Sequence, residues 1–421
     1  PEVSTCPVKV IHPQPSVVIH STSLAQSAIM ILEGEKKTFD ITLHNTSSCP
    51  VDFICFTFED STMRQLQSAL SNRDLLPAEV YELSLQLSTK PALRWLRNGK
   101  KPHDFSIGAG EKATFTIEVF GKPGLQDAVV RIDYAFLGTP HDEIPETFYT
   151  RQLSLPVTVT VNASVEIVRG DIVSLSADFA WFNQVGQNAA LPRSDHLEDN
   201  DQLGSALSRL GVGSRGTDYC LLILDLRNAW PNPLSVSFEV AERDLSQDHQ
   251  DVFTTTGHLQ PGQISRFVLV VPRIYVDNPH EAIPFLTTAF RRQYIVSTHQ
   301  LSFHAEASSR ETFWYREELL KRITGSWKED SSQREGKIDL RALQLNPRMV
   351  DALRLDDIEL TFTLSPFNDA DSKQNNSAAG EKAAVRQVRH SKFITKTDEF
   401  LVLTTRIHNR SSRSITPLLR L

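Results

Sequence analysis

Apolar and polar residues alternate up to an asparagine in three segments of the chain. The segments cover residues 32–58, 216–240 and 396–421, and their asparagines are Asn45, Asn228 and Asn409. Alternation with a period of two buries one face of a β-strand. The polar stretch that follows each asparagine is typical of a turn, because Asn and Ser hydrogen-bond their own backbone. Each segment is therefore predicted to form a strand, a turn and a strand, as either a β-hairpin or a corner between two sheets.

A second element recurs in the same order. Residues 105–119 match residues 259–271 when Gly110 is aligned with Gly262, so that a glycine turn leads into a strand with one apolar face. Antiparallel sandwiches use such turns between neighbouring strands. The asparagines lie about 180 positions apart, which suits successive domains with insertions better than a solenoid repeat. The pattern predicts a mainly β fold of tandem immunoglobulin-like antiparallel β-sandwiches with short helical insertions.

The two elements also set the predicted domain boundaries. In chain order these are an N-terminal linker (1–14), a first Ig-like sandwich (15–162) with a helical insertion (60–97), a second Ig-like sandwich (163–310) with a polar loop (184–216), a helical connector (311–335) and a third Ig-like sandwich (336–421). Within the insertion, Met63, Leu66 and Leu70 have helical spacing, and Pro77 suits the first position of a second helix.

The third sandwich is expected to be incomplete. It contains a second polar loop at 368–397, and the sequence stops soon after Asn409, before any counterpart of the Gly110 element. A sandwich that lacks its later strands has an open strand edge and an uncovered apolar face. We therefore expect the segment after about Gly336 to be the least stable part of the chain, or to pair with a neighbour.

Composition narrows the class of protein. A chain of 421 residues exceeds the roughly 250–300 residues that one core usually serves, and 40% hydrophobic with 23% charged residues is ordinary for globular domains. The net charge of −7 without a basic face argues against nucleic-acid binding. No apolar stretch of about 18 residues and no basic-then-apolar N-terminus is present, so neither a membrane span nor a signal peptide is predicted.

The four cysteines are interpreted as buried free thiols in a reducing compartment. They are Cys6, Cys49, Cys55 and Cys220, an even number that disulfides in a secreted protein would also explain. Cys49 and Cys55, however, lie in one apolar run, whereas a sandwich disulfide joins strands of opposite sheets. No pair of Cys or His residues has the spacing of zinc ligands.

Two short motifs resemble ligand-binding loops without matching them. GAGEK at 108–112 shares part of a phosphate-binding loop, but a strand follows where that loop opens a helix, so a turn is favoured. Asp369 and Asp371 stand at the first and third positions of a calcium loop within 369–381. Lys373 stands at the fifth position, where a calcium loop needs an oxygen ligand, so a solvated loop is favoured.

Acidic runs do not form a catalytic pair either. Asp356 and Asp357, and the His141–Glu143 run, could in principle perform acid and base chemistry. Adjacent residues of a strand point to opposite faces, so both runs are interpreted as surface polar residues. We predict no catalytic, cofactor-binding or metal site, and we assign no protein-interaction residues from the sequence.

Three further features bear on partners. The basic cluster RQVRHSK (386–392) could meet an acidic partner or a lipid headgroup, although a solvated loop is favoured. The aromatic stretch FWYREELL (313–320) could be a partner-docking helix, although packing between two domains is favoured. Glycosylation sequons would matter in a secreted protein, but they are common by chance and two have a turn explanation; they begin at Asn45, Asn162, Asn375 and Asn409.

Several longer blocks carry a family resemblance. The blocks cover residues 32–61, 90–125, 224–234, 313–329 and 334–360. Together they resemble the C-terminal half of the NIBP-type (NIK- and IKK-beta-binding protein) large subunit of the TRAPP II complex, in its fungal form, from about Val17 to Leu421.

The resemblance implies a non-catalytic scaffold in a vesicle-tethering and Rab guanine-nucleotide-exchange complex. Its expected partners are the other large and the small core TRAPP subunits, and Rab GTPases indirectly, without a cofactor. The expected location is cytoplasmic, peripheral at trans-Golgi and endosomal membranes, with membrane contact only through the complex. Two alternatives remain from the residues themselves: a secreted adhesion or receptor ectodomain of tandem Ig-like domains, and an enzyme with accessory sandwich modules.

Overall fold

The computed structural model describes most of the chain. It covers residues 13–138, 148–175, 218–241, 252–286, 302–366 and 385–418, apart from gaps at 73, 90, 98, 100–104, 390–391, 396, 398–399 and 417. The fold is mainly β, with several antiparallel sheets and few helices, which confirms the predicted class. Two compact units are present: Pro1–Ser164 with Pro284–His299 and Arg334–Lys337, and Val165–Ile283 with Gln300–Gln333 and Ile338–Leu421.

The first unit is a sandwich of two four-stranded sheets. Its strands are β1 (Val17–Thr22), β2 (Ala28–Leu32), β3 (Lys36–Asn45), β4 (Phe53–Asp60), β5 (Leu93–Leu96), β6 (Lys112–Phe120), β7 (Asp127–Ala135) and β8 (Arg151–Asn162). One sheet has the order β1-β3-β6-β5 and the other β2-β8-β7-β4. All neighbours are antiparallel except β2 and β8, which are parallel.

The Asn45 turn joins these two sheets. Strand β3 belongs to the first sheet and β4 to the second, so the predicted strand–turn–strand is a corner and not a hairpin. Alternation places Phe39, Ile41 and Leu43 inside, where they are almost fully buried. The glycine turn also forms as predicted, because Gly110 adopts φ of 71° and leads directly into β6, which pairs with β3.

The helical insertion contains two helices and one strand. Helix α1 (Ser61–Leu70) begins with Asp60 Oδ1 accepting the Met63 N–H at 3.0 Å, and α2 (Pro77–Thr89) begins at the predicted proline. The prediction of an insertion as far as residue 97 is wrong at its end. Leu93–Leu96 is strand β5, because buried Leu93 and Trp95 flank the exposed Arg94 and pair with β6.

The second unit contains the second sandwich and the strands that follow it. Its elements are β9 (Val165–Ser174), β10 (Tyr219–Asn228), β11 (Leu234–Ala241), β12 (Val252–Leu259), β13 (Ile264–Pro272), α3 (Phe303–Leu320), β14 (Ile323–Glu329), β15 (Glu335–Ile338, whose first residues group with the first unit), α4 (Pro347–Leu353), β16 (Ile358–Pro366), β17 (Val385–Arg389), β18 (Lys392–Thr395) and β19 (Leu401–Asn409). β10 lies between β13 and β9, and β11 between β12 and β14. The Asn228 turn therefore also joins two sheets.

The predicted helical connector is wrong beyond Leu320. Helix α3 begins at Phe303, earlier than predicted, and Ile323–Glu329 is strand β14. In β14, buried Ile323, Gly325 and Trp327 alternate with exposed residues, and the strand pairs with β11 with Trp327 opposite Val236. A period of two is incompatible with a helix at this position. The segment thus completes a sheet of the second sandwich.

Later segments also differ from the predictions in detail. After β15, residues Leu340–Ala342 form a short 3-10 helix within the segment assigned to the third sandwich. The polar loop predicted at 368–397 includes a hairpin, because β17 and β18 pair antiparallel with Val385 opposite Thr395. Strands β16 and β19 form a two-stranded sheet, the β16–β19 ribbon. The described residues after Asn409 form no strand, so the third segment lacks its predicted second strand there.

Candidate interaction site

The three asparagine turns share one hydrogen-bond geometry. In each turn, Oδ1 accepts the backbone N–H two residues later and Nδ2 donates to the carbonyl four residues later. These partners are Ser47 and Cys49 for Asn45 (3.1 and 2.7 Å), Trp230 and Asn232 for Asn228 (2.9 and 2.9 Å), and Ser411 and Arg413 for Asn409 (3.0 and 2.6 Å). The geometry requires an acceptor and a donor on one short side chain, which an asparagine amide supplies. The predicted turn is confirmed at all three positions.

The strand that pairs before each asparagine is also equivalent. Val17 stands opposite Asn45, Val165 opposite Asn228 and Ile358 opposite Asn409. Strands β1, β9 and β16 therefore occupy the same place in three successive domains. The β16–β19 ribbon has the register of the first two sandwiches, although it has only two strands in the described part of the chain.

The third turn differs from the other two in burial. Asn45 and Asn228 are 0% exposed, whereas Asn409 is exposed. The residue two before the asparagine is 0% exposed at Leu43 and Leu226 but 44% exposed at Ile407. Among the described residues, the same hydrogen-bonded turn is therefore buried at Asn45 and Asn228 and exposed at Asn409.

One face of the β16–β19 ribbon is apolar and accessible. Directly opposed residues of an antiparallel pair point to the same side. On one side, Ile358, Leu360, Phe362 and Leu364 alternate along β16 and stand opposite Asn409, Ile407, Thr405 and Leu403 of β19. Leu360 is 45% exposed and Leu403 is 60% exposed. The opposite side carries polar residues such as Glu359, Thr361, Thr404 and His408. The apolar side is a candidate contact surface.

A charged network borders this face. Arg410, whose side chain is 11% exposed, forms ion pairs with Glu359 at 2.9 Å and with Asp218 at 3.8 Å. The Arg410 backbone N–H donates to the Asp357 carbonyl at 2.8 Å, and its Nη1 donates to the Asp356 carbonyl at 3.1 Å. Asp218 directly precedes β10 of the second sandwich, so the arginine links the ribbon to that sandwich.

Asp277 makes the second link. Ser412 donates to its carboxylate twice, from the backbone N–H at 3.1 Å and from Oγ at 2.9 Å. These two hydrogen bonds hold the pKa of the Asp277 carboxyl below its usual value. Burial raises the pKa of nearby Tyr275, and the carboxylates of Asp357 and Asp277 raise it further. The network thus favours an ionised Asp277 and a neutral Tyr275.

The Asp277 contact is expected to weaken only in acid. Because the folded-state pKa lies below the unfolded value of 3.8, the contact contributes fully above that pH and is lost as pH falls through the folded pKa. The Ser412 amide proton signal in an NMR titration should therefore shift with a midpoint below 3.8. Asp277→Asn should abolish this transition, while Asp225→Asn, at a separate carboxylate, should leave it unchanged. A midpoint at or above 3.8 in the unmodified protein would contradict the prediction.

The GAGEK motif is a turn, as favoured. Glu111 Oε2 accepts the Gly108 N–H at 3.0 Å, and the Glu111 N–H donates to the Gly108 carbonyl at 3.2 Å. The carboxylate therefore occupies the place that a phosphate would need. Strand β6 follows at Lys112, which fits a strand connection and not a phosphate loop.

The aromatic stretch 313–320 packs within the second unit. Phe313, Tyr315 and Leu319 of α3 are buried, and Arg341 forms two 2.8 Å hydrogen bonds with the Glu317 carboxylate. Burial raises the pKa of Tyr315 to about 12. These side chains are buried in the core, as favoured, and do not form an exposed partner-docking surface. The packing lies within one unit, whereas packing between two domains was expected.

Of the remaining motifs singled out in the sequence, the structure describes some and not others. The backbone carbonyls of Asp356 and Asp357 accept hydrogen bonds from Arg410. The described residues of the basic cluster, 386–389 and Lys392, lie in strands β17 and β18, where a solvated loop was favoured. His141–Glu143, the 369–381 motif with Asn375, the loop 184–216 and Cys6 lie outside the described residues.

The prediction of buried free thiols is confirmed at Cys220 but not at Cys49 and Cys55, which are only partly buried. Cys49, Cys55 and Cys220 are free thiols; Cys220 is buried, and burial raises its pKa to about 12, whereas Cys49 and Cys55 are only partly buried. Asn45 is buried within its turn and unsuited to glycosylation. The Asn409 amide is exposed but donates to the Arg413 carbonyl.

The charged network was missed by sequence reasoning. Asp218, Asp277 and Arg410 are single polar residues in elements far apart in the chain, and no spacing rule connects them. The one available signal was the proximity of Arg410 and Ser412 to the Asn409 turn. In the described ranges, no group of three or more His, Cys, Asp or Glu residues could hold a metal ion. No helix among the described residues is long and apolar enough to cross a membrane.

Successive sandwiches whose two sheets are joined by an asparagine corner define a tandem Ig-like protein. The chain belongs to the Trs120/TRAPPC9 family. It matches the second Ig-like domain of that family at residues 14–162, the third at 165–354 and the fourth at 358–421. All three matches are to Ig-like domain models, and none of them indicates a catalytic family. Membership of this family favours the scaffold interpretation over the adhesion ectodomain and the enzyme with accessory modules.

Two fungal relatives extend the comparison. The chain is 22% identical to "Transport protein particle subunit trs120" of Schizosaccharomyces pombe, over 82% of this chain and 24% of that protein. It is 26% identical to "Trafficking protein particle complex II-specific subunit 120" of Saccharomyces cerevisiae, over 77% of this chain and 23% of that protein. The chain thus spans about a quarter of the length of these relatives.

Solved structures resemble the chain only weakly. Escherichia coli alpha-2-macroglobulin in its native conformation is 11% identical, with a TM-score of 0.21 over 53% of this chain and 9% of that chain. The Pseudomonas aeruginosa CupB2 chaperone is 10% identical, with a TM-score of 0.17 over 59% of this chain and 87% of that chain. At these scores the similarity carries no argument about function.

Proposed function

We propose that this chain is a non-catalytic scaffold region of the TRAPP II complex, which tethers vesicles and exchanges nucleotide on Rab GTPases. The observation that carries the proposal is the match of three consecutive Ig-like domains of one family across residues 14–421. The name of the Saccharomyces cerevisiae relative, a complex II-specific subunit, supports the particular complex. The partners proposed are the other large subunit and the small core subunits, and Rab GTPases are reached through them.

The surfaces of the chain suit this function. The apolar face of the β16–β19 ribbon offers a protein contact, and the charged network at Arg410 holds it on the second sandwich. A net charge of −7 gives little overall attraction for anionic lipid. Membrane association at trans-Golgi and endosomal compartments is therefore proposed to be peripheral and through the complex.

Affinity capture tests the proposal. With the chain immobilised and exposed to fungal cytosol, mass spectrometry should recover small TRAPP core subunits or the other large subunit. A matched control carries Leu360→Asp and Leu403→Asp on the apolar face, and reduced recovery with this control would identify the face as a contact. Recovery of no TRAPP subunit by the unmodified chain would overturn the scaffold proposal.

Nucleotide-exchange assays test the non-catalytic part of the proposal separately. The chain alone should not accelerate release of labelled GDP from Rab GTPases. The assembled complex serves as the positive control. Appreciable release with the isolated chain would contradict a non-catalytic assignment, even if the capture experiment succeeds.

A further inference from the structure

A β-bulge in strand β1 turns one histidine onto the solvent side of the first sandwich. The register of β1 with β3 shifts between Ile19 and Ser21, so His20 is an extra residue at this point. Bulges of this kind re-aim a side chain. The ring of His20 reaches across β3 to Lys112 of β6, whose Nζ lies 2.8 Å from His20 Nε2. The bulge therefore places an imidazole over the neighbouring strand.

A second imidazole lies beside the first. His44 of β3 lies between the buried Leu43 and Asn45, so its side chain points to the same solvent side. The ring centroids of His20 and His44 are 6.0 Å apart, with an angle of 72° between the ring planes. His20 is exposed and His44 is partly exposed. Two accessible imidazoles from two strands are thus neighbours, which no sequence spacing reveals.

The contact with Lys112 shows which His20 nitrogen carries a lone pair. A lysine ammonium has donors only, so Nζ donates and Nε2 accepts. His20 is then a neutral imidazole with its proton on Nδ1, and neutral imidazole is the form of histidine that binds metals. Lys112 stands directly opposite His44 in the register of β3 and β6. The lone pair is therefore directed toward the row of the sheet that carries His44.

The second sandwich has the same bulge without the imidazoles. Strand β9 shifts register between Asp225 and Leu226 of β10, so Val168 is the extra residue there. The residue before the turn asparagine is Arg227, where the first sandwich has His44. The bulge thus belongs to the shared fold, whereas the two imidazoles are specific to the first sandwich.

The ring separation suits one shared metal ion. A Zn–N bond measures about 2.0–2.1 Å. Since a ring nitrogen lies about 1.1 Å from the ring centre, two imidazoles on one ion have centroids at most about 6.4 Å apart. The observed 6.0 Å lies within this limit. The carboxylate on the same side of β3, that of Asp40, is engaged elsewhere, because it accepts from Thr116 Oγ1 at 2.7 Å. With imidazole ligands, late transition metals are favoured over Mg²⁺ and Ca²⁺.

We propose that His20 and His44 bind one divalent transition-metal ion of the Zn²⁺, Cu²⁺ and Ni²⁺ class. Each ring supplies one nitrogen, and the ammonium of Lys112 moves away from His20 Nε2 as the ion enters. Zinc takes four ligands, so two positions remain for water or for a donor group of another molecule. The site differs from centres with three or more His, Cys, Asp or Glu ligands, of which the described residues form none. The bound ion ties the edge strand β1 to β3.

A Zn²⁺ titration tests the site. With isotope-labelled histidine, the NMR signals of the His20 and His44 rings should shift together and share one midpoint. At a free Zn²⁺ concentration about 100 times the Kd, the opening that separates β1 from β3 becomes about 100-fold rarer, so the β1 amides should exchange that much more slowly. Unchanged ring signals at millimolar Zn²⁺ would overturn the proposal.

Single substitutions show whether one ion is shared. His20→Gln should abolish the shift of the His44 ring, and His44→Gln should abolish that of the His20 ring. His280→Gln, at an exposed histidine of the second unit, should change neither. Hydrogen exchange in β7 of the opposite sheet checks that each variant is folded. A ring that keeps its shift and its midpoint after loss of the other ring would refute a shared ion.

Lys112→Met distinguishes a metal ion from an anion. Removing the ammonium should tighten Zn²⁺ binding by about fivefold or more, because the ion no longer meets a positive charge nearby. An anion site would behave in the opposite way, with inorganic phosphate shifting the two ring signals and Lys112→Met weakening its binding. Weaker Zn²⁺ binding in Lys112→Met, or a response of the rings to phosphate alone, would contradict the metal assignment. None of these readouts requires TRAPP subunits, so the site can fail independently of the proposed function.

Discussion

Replacing Asn228 by alanine is expected to lower the free energy of unfolding of the second sandwich by about 2–5 kcal/mol. The side chain is 0% exposed and makes three hydrogen bonds, to the Trp230 N–H and to the Asn232 and Leu259 carbonyls. Alanine would leave the buried Leu259 carbonyl, and the partly buried Trp230 N–H and Asn232 carbonyl, without this partner. The loss should affect both the corner and the start of β13.

Local hydrogen exchange measures this effect, because a chain with several domains has no single unfolding transition. Amides of β10 and β13 should exchange faster in Asn228→Ala, while those of β3 in the first sandwich should be unchanged. Asn409→Ala is the matched control, since the same turn is exposed there and water can replace the amide. An equal effect of the two substitutions would mean that burial does not determine the contribution of the asparagine.

Replacing Trp327 by alanine is expected to cost about 3–5 kcal/mol, because it removes a large side chain from a closed core. Trp327 is 1% exposed and lies in β14, opposite Val236 of β11. The substitution should destabilise β11 and β12 together with β14 if the segment after α3 is an integral part of the second sandwich.

Lys328→Ala is the control for this prediction. Lys328 is the next residue of the same strand and points to solvent. Its substitution should change the exchange of β11 amides by less than about 0.5 kcal/mol. Faster exchange limited to Ile323–Glu329 in Trp327→Ala, with β11 unaffected, would indicate that β14 is only an appendage of the sheet.

The repeated elements were predictable because their signals are local. The asparagine turns depend on hydrogen bonds between residues two and four positions apart, and the glycine turn on the positive φ of Gly110 and Gly262. Alternation before Asn45 and Asn228 then identifies the buried face directly. The two helices of the insertion followed from helical spacing and from Pro77 at a helix start.

The errors arose where distant partners decide the structure. Local turn chemistry is the same in a hairpin and in a corner, so the sheet that β4 joins depends on its pairing with β7. In β14, Gly325 interrupts the apolar alternation between Ile323 and Trp327, which hid the strand after a strongly helical segment. The bond between Ser412 and Asp277 spans 135 positions, beyond any pattern visible in the sequence.

The Asn409 turn separates local from long-range determinants of the corner. It keeps both of its local hydrogen bonds although β19 pairs only with β16 in the described part of the chain. The hydrogen bonds from Asn45 to the Ile107 carbonyl and from Asn228 to the Leu259 carbonyl close loops of 62 and 31 positions. Closing these loops costs more chain entropy than closing a five-residue turn. The turn can therefore form from local contacts before the distant strand pairs. In the first two sandwiches, β6 and β13 would then add to the edges of β3 and β10 after the corner has formed.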